Sequence, residues 1–176
     1  MAVMEVIKMG NPVLREKCLP VAPDEIGSQD FQDFIDDLIE TMQEEDGAGI
    51  AAPQVGLLKR LFVIEMDSNP RYPDQQNFPL TVVINPRIRR LSEETTDSWE
   101  GCLSIPGIRG RLKRYQHVEL SGLDRYGEKL QMVLDGFPAI VAQHELDHLD
   151  GILFIDRMDD LKTLSFESEF GKHGDG

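Results

Sequence analysis

Cysteine is scarce in this chain of 176 residues: Cys18 and Cys102 could form at most one disulfide, which excludes a multiply bridged secreted scaffold. Nothing points to export, so both thiols are expected to be reduced. Long apolar runs are also missing, and no window approaches the roughly 18 consecutive apolar residues of a membrane span. Residues 1–10 carry Glu5 and Lys8 inside an apolar stretch, so they read as an early strand rather than a secretory signal. Basic residues are few, 18 Lys and Arg against 32 Asp and Glu. The net charge of −14 argues against non-specific contact with nucleic acid or anionic membrane. No repeat or low-complexity run breaks the sequence. What remains, 40% hydrophobic and 28% charged, is the composition of one globular domain.

Asn11-Pro12 reads as a cap with proline in the first turn of a short helix, and residues 20–27 read as a linker. Ser28 opens the clearest helix. Phe31, Phe34, Ile35, Leu38, Ile39 and Met42 recur at spacings of three and four, and Asp46-Gly47 ends the pattern. Two β-rich runs follow at residues 61–65 and 81–84, the second stopped by Asn85-Pro86 and the two separated by a polar loop. Residues 117–124 and 129–134 flank a turn and suggest a hairpin. A last helix starts near Phe137-Pro138 and stops at Gly151. Strands grouped between helices, without regular alternation, predict an α+β fold. Residues 1–158 form the expected single catalytic domain. Residues 159–176 turn polar and are expected to be a mobile tail.

The last helix carries HELDH at residues 144–148. Histidines four apart share one helical face, so His144 and His148 can reach one ion, and Glu145 can sit beside it as a base without ligating it. Asp147 reads either as a solvated charge or as a partner for a basic group. A hydrolytic metal commonly takes three protein ligands. The position six residues after His148 is Phe154, which removes the metzincin pattern. Glu167 and Glu169 in the tail and Cys102 in EGCLS remain as alternatives for the third ligand. Cys102 lies on a tight, glycine-containing segment between polar residues, whereas Cys18 fits a buried, inert role.

Three segments together resemble peptide deformylase: GAGIAAPQ at residues 47–54, EGCLS at 100–104 and QHELDHL at 143–149, in the family's order. The resemblance covers roughly residues 5–158 and implies antiparallel strands packed around a central metal-binding helix. It implies Cys102, His144 and His148 as ligands of one divalent ion, Fe2+ in the first place, with Zn2+, Ni2+ or Co2+ able to substitute. It makes Glu145 the general base and acid, and it places Gln54 and the backbone N–H of Leu103 around the developing oxyanion. Gly49 and Gly101 would offer backbone groups to a peptide added as a strand. Glu100 would orient a ligand imidazole. Ala48, Ile140 and Val141 are candidates for an apolar pocket suited to methionine.

The implied reaction is hydrolysis of the formyl group from nascent N-formylmethionyl polypeptides, in a bacterial cytoplasm or an organelle. The alternatives are a zinc endopeptidase using a tail glutamate, or a non-catalytic peptide-binding relative. Of the basic run Arg109, Arg111, Lys113 and Arg114, Arg109 is assigned to the peptide cleft and the other three to a solvated strand face. Some relatives reach the ribosome through a basic C-terminal helix. The acidic, glycine-rich tail here argues against that route for any transient ribosome contact.

Overall fold

A computed structural model describes residues 2–173, and the fold is α+β with two antiparallel sheets. The helix predicted after Ser28 is α2 (Gln29–Glu44), following the short α1 (Pro23–Ile26). Ser28 caps it by accepting the Phe31 N–H, which satisfies one of the helix's open donors. Its stripe buries Phe31, Ile35, Leu38 and Met42.

That stripe packs on a five-stranded sheet ordered β1-β2-β3-β6-β7. Its strands are β1 (Gly49–Ala51), β2 (Leu61–Met66), β3 (Phe78–Arg90), β6 (His117–Leu123) and β7 (Lys129–Asp135). Side chains alternate faces along a strand, and β2 shows the consequence. Leu61 and Val63 join α2 in one core, whereas Phe62 and Ile64 face the opposite layer with Val83, Val118 and Leu120. That opposite layer is α3 (Phe137–Leu149), through Ala139, Ala142 and Leu149. The second sheet, ordered β4-β5-β8, combines β4 (Thr95–Cys102), β5 (Ile105–Tyr115) and β8 (Ser165–Phe166). Cys102, Ile105 and Leu112 from this sheet cluster with Leu153 and Phe154, which follow α3. Nine of the 13 residues of α3 are therefore buried, including every charged or imidazole-bearing one.

Several expectations need correction. Residues 2–8 form no strand; the segment is instead tied down by the Ile7 N–H on the Gln54 carbonyl and the Met9 N–H on the Ser104 carbonyl, each 2.8 Å. The supposed linker at residues 20–27 contains α1, anchored by buried Ile26. Asn85-Pro86 does not stop β3, because the strand crosses it on a β-bulge between Ile84 and Arg87 where Pro86 costs no ladder bond. Asn85 takes a positive φ of 51°, and its amide exchanges two hydrogen bonds with the Val21 backbone. The glycine-rich segment contributes strand β1 as well as a turn.

The tail expected to be mobile is built into the fold through residue 173. A 3-10 turn at Leu161–Thr163 leads to β8, which pairs with β5, and then to α4 (Glu167–His173). Asp160 caps the turn by accepting the Lys162 N–H. The last three residues of the expected tail, 174–176, lie outside the described residues. Arg114 is not on a solvated face; only 4% of it is exposed, because two buried carboxylates hold it.

Candidate metal centre

The site lies where α3 is enclosed by the ends of β1 and β4. His144 and His148 lie one turn apart on α3, their rings edge to face at 69° with centroids 5.0 Å apart. The other wall is β4, which ends in Glu100-Gly101-Cys102, with a β-bulge between Gly101 and Cys102 that re-aims the cysteine. Cys102 Sγ lies 3.3 Å from His148 Nε2, and one donor atom from each of Cys102, His144 and His148 falls within 4.8 Å of the others. All three residues are buried.

The surroundings prepare this set to bind a cation. His144 Nδ1 is 2.7 Å from Glu100 Oε1, so the ring's proton is held on the carboxylate side and Nε2 is left for the ion. Burial opposes ionisation of the Cys102 thiol, yet the charges and hydrogen bonds of His148 and His144 pull it well below the usual thiol range. One thiol and two imidazole donors buried together fit a divalent transition metal. Those residues fit one ion.

Glu100 is held by more than His144. Burial alone would raise its carboxyl, but the Arg114 guanidinium brings it down to about 2, helped by His144. Arg114 donates through Nε and Nη2 to Glu100 at 2.8 and 2.9 Å, and through Nη1 to Asp147 Oδ2 at 2.7 Å. Asp147 also accepts two hydrogen bonds from Arg157, both 2.7 Å. A continuous chain thus runs Arg157–Asp147–Arg114–Glu100–His144. Of the two readings of Asp147, the partner of a basic group is the one observed. Arg114 and Arg157 were missed as site supports. The available signal was Asp147 itself: a carboxylate on a buried helix must find a cation.

Glu145 lies beside the histidines, 3% exposed, and burial raises its carboxyl to about 7. Its Oε2 has no hydrogen-bond partner among the described residues. Gly49 makes room for it, since a Cβ there would stand 2.6 Å from Glu145 Oε1. Gln54 is turned inward by the Ala51 N–H, which donates to its Oε1 at 2.9 Å. Its Nε2 then points at Ser104 Oγ (3.2 Å) and Cys102 Sγ (3.6 Å).

The pocket over these groups is lined by Ala48, Gly49, Gly101, Leu103, Ile140 and Val141 among the expected residues. Arg71, Tyr72, Trp99 and Phe137 also line it and were not anticipated. Arg109 lies outside it, in the adjoining groove. Neither tail glutamate joins the metal set: Glu167 pairs with Arg109 and Glu169 with Lys172. No helix among the described residues is long and apolar enough to cross a membrane.

Comparison with known proteins adds three findings. The family model for polypeptide deformylase matches residues 3–164. The chain is 40% identical over 175 residues to a peptide deformylase of Leptospira biflexa, covering 99% of this chain and 98% of that one. It is 46% identical over 165 residues to peptide deformylase 2 of a Nostoc species, covering 93% and 91%. Among solved structures, a Met-Ala-Ser-bound class I type b peptide deformylase from Acinetobacter baumannii superposes with a TM-score of 0.86. It is 41% identical and covers 89% of this chain and 99% of that one. The peptide deformylase of Thermotoga maritima gives a TM-score of 0.79 at 36% identity, covering 91% and 100%.

Proposed function

The chain belongs to the polypeptide deformylase family, and from that premise we propose how its own residues carry the reaction. The enzyme removes the N-formyl group from the N-terminus of newly made polypeptides by hydrolysis. The observation that carries the assignment is the buried Cys102–His144–His148 donor set with Glu145 and Gln54 beside it.

Cys102, His144 and His148 would hold one divalent ion, Fe2+ as the native choice, with Zn2+, Ni2+ or Co2+ accepted by the same donors. When bound, such an ion supplies Lewis acidity, lowering the pKa of water and polarising the formyl carbonyl. Glu145 takes the proton of the attacking water. Burial favours its neutral form, which suits a group that must both accept and return a proton. It then delivers that proton to the departing amine, leaving formate and a free N-terminus.

The carbonyl oxygen gains negative charge as the carbon is attacked. Gln54 Nε2 and the Leu103 N–H meet that charge, and removing such a donor typically costs about 10²-fold or more in rate. Glu100 keeps His144 in one tautomer. Gly49 on β1 and Gly101 on β4 offer backbone groups to a peptide lying between the two strands. Ala48, Ile140 and Val141 bound an apolar pocket for the methionine side chain, and Arg109 meets the residues that follow.

Formylated nascent chains place the reaction in a bacterial cytoplasm or an organelle. Contact with the ribosome is transient and does not use α4 as a basic docking helix, since Glu167 and Glu169 lie in its first turn. The test is formate release from formyl-Met-Ala-Ser by anaerobically iron-loaded protein. Release is expected from wild type and should be lost in Cys102→Ser and Glu145→Ala. A metal-replete wild type that releases none would refute the assignment.

A further inference from the structure

The family match ends at residue 164, but the chain continues and brings Phe170 to the groove that adjoins the pocket. Strand β8 extends the second sheet along β5, pairing Phe166 with Ile108 and Ser165 with Arg109. Helix α4 then turns Phe170 onto Trp99, with ring centroids 4.8 Å apart at 61°. Arg109 is gripped on three sides. Its guanidinium lies 5.5 Å from the Tyr72 ring and 5.7 Å from the Phe170 ring, and its Nε donates to Glu167 Oε1 at 3.1 Å. Arg71 Nη2 reaches the same oxygen at 3.6 Å.

Of these residues, Arg71, Tyr72, Trp99, Arg109 and Phe170 border a groove of about 480 Å³ that shares Arg71, Tyr72, Trp99, Phe137 and Ile140 with the metal-facing pocket. A peptide held by its formyl-methionine would leave the pocket along this groove. Two guanidinium groups converge there beside Asp74 and Asp97, and Glu167 is the carboxylate that pairs with both of them. Glu167 touches neither the pocket nor the metal donors, so its effect must pass through the arginines.

We propose that Glu167 is a positioning residue that sets the charge preference of the groove, holding Arg109 and Arg71 back from acidic side chains two residues beyond the formyl-methionine. With Glu167 in place, the enzyme accepts neutral and acidic peptides with little distinction. Without its charge, both guanidinium groups become available to a substrate carboxylate. The proposal rests on the deformylase reading for the direction in which the peptide lies.

The experiment compares metal-loaded, full-length wild type with Glu167→Gln on two amide-capped peptides, formyl-Met-Ala-Ser and formyl-Met-Ala-Asp. The expected result is a rise of about threefold in the acidic-to-neutral ratio of kcat/KM, the size of a partly exposed ion pair. The change should fall in KM rather than kcat, and 0.5 M salt should erase it, as screening requires. An unchanged ratio, an equal change with both peptides, or a shift indifferent to salt would overturn the proposal. Binding of the same peptides without the formyl group, by calorimetry, reads the charge preference independently of turnover. A wild type that binds both peptides but releases no formate would defeat the deformylase reading alone. An unshifted binding ratio in Glu167→Gln would defeat this one alone.

Discussion

Arg114→Met tests the buried chain that supports the metal face. The substitution roughly keeps the length of the side chain and removes the charge from between Glu100 and Asp147, which are 5% and 6% exposed. Asp147 keeps Arg157, but Glu100 keeps only His144. Removing one partner of a buried pair typically costs about 3–5 kcal/mol, because the remaining charge is left without compensation. The depression of the Glu100 carboxyl from 4.5 to about 2 gives a similar figure, roughly 3 kcal/mol at about 1.4 kcal/mol per unit. At roughly 2–4 °C per kcal/mol for a domain of this size, the melting temperature should fall by about 6–20 °C at pH 7.

The pH dependence is the sharper check. A carboxyl depressed on folding stabilises fully above its unfolded pKa and loses that stability as pH falls through its folded pKa. Wild type should therefore lose the Glu100 contribution between pH 4.5 and about 2. The gap between wild type and Arg114→Met should narrow as pH falls, first as protonation relieves the stranded carboxylate, which burial alone would raise, and then as wild type loses its own Glu100 contribution. Urea unfolding in the presence of chelator keeps metal release out of the comparison. A loss below about 1 kcal/mol at pH 7, the range of an exposed pair, or a gap that widens on acidification would refute the reasoning.

Gly49→Ala should reduce kcat sharply, because the new Cβ would stand 2.6 Å from Glu145 Oε1 and must displace that side chain; formate release with bound metal measured in parallel checks it. Gln54→Ala should leave metal content intact and lower kcat by about 10²-fold, as expected for the loss of one oxyanion donor; an unimpaired mutant would remove Gln54 from that role. Leu38→Ala, at a fully buried position of α2, should cost roughly 2–5 kcal/mol without changing metal stoichiometry, read by urea unfolding and metal analysis. Lowering the free metal concentration with a chelator should lower the melting temperature of wild type in step with the logarithm of that concentration, and Cys102→Ser should flatten the response.

The parts legible in the sequence were those with a local cause. The stripe on α2 follows from 3.6-residue periodicity, and the hairpin of β6 and β7 follows from two β-rich runs around Gly127, whose φ is 83°. His144 and His148 could be paired because four residues make one helical turn. Cys102 could not be joined to them by spacing alone, since 42 residues separate it from His144 and only the packing of β4 on α3 brings them together. It was the resemblance that selected it over the tail glutamates.

What escaped the sequence reading shares one cause: a residue's environment was judged from its neighbours in the chain rather than across the fold. Arg114 sits in a basic run on an acidic protein, and locally that pattern means a solvated strand. Strand alternation still divides the run. Lys113 is exposed, whereas Arg114 turns inward to two carboxylates that lie 14 and 33 residues away in sequence. The tail looked unstructured because it has few apolar residues and little period. It is held instead by partners that only the fold supplies: an open edge of β5, the Trp99 ring and the guanidinium groups of Arg109 and Arg71. A short segment with one aromatic and one well-placed carboxylate can be ordered this way without a core of its own. Long-range polar contacts of this kind therefore support His144 and border the groove beside its pocket, where periodicity gives no warning of them.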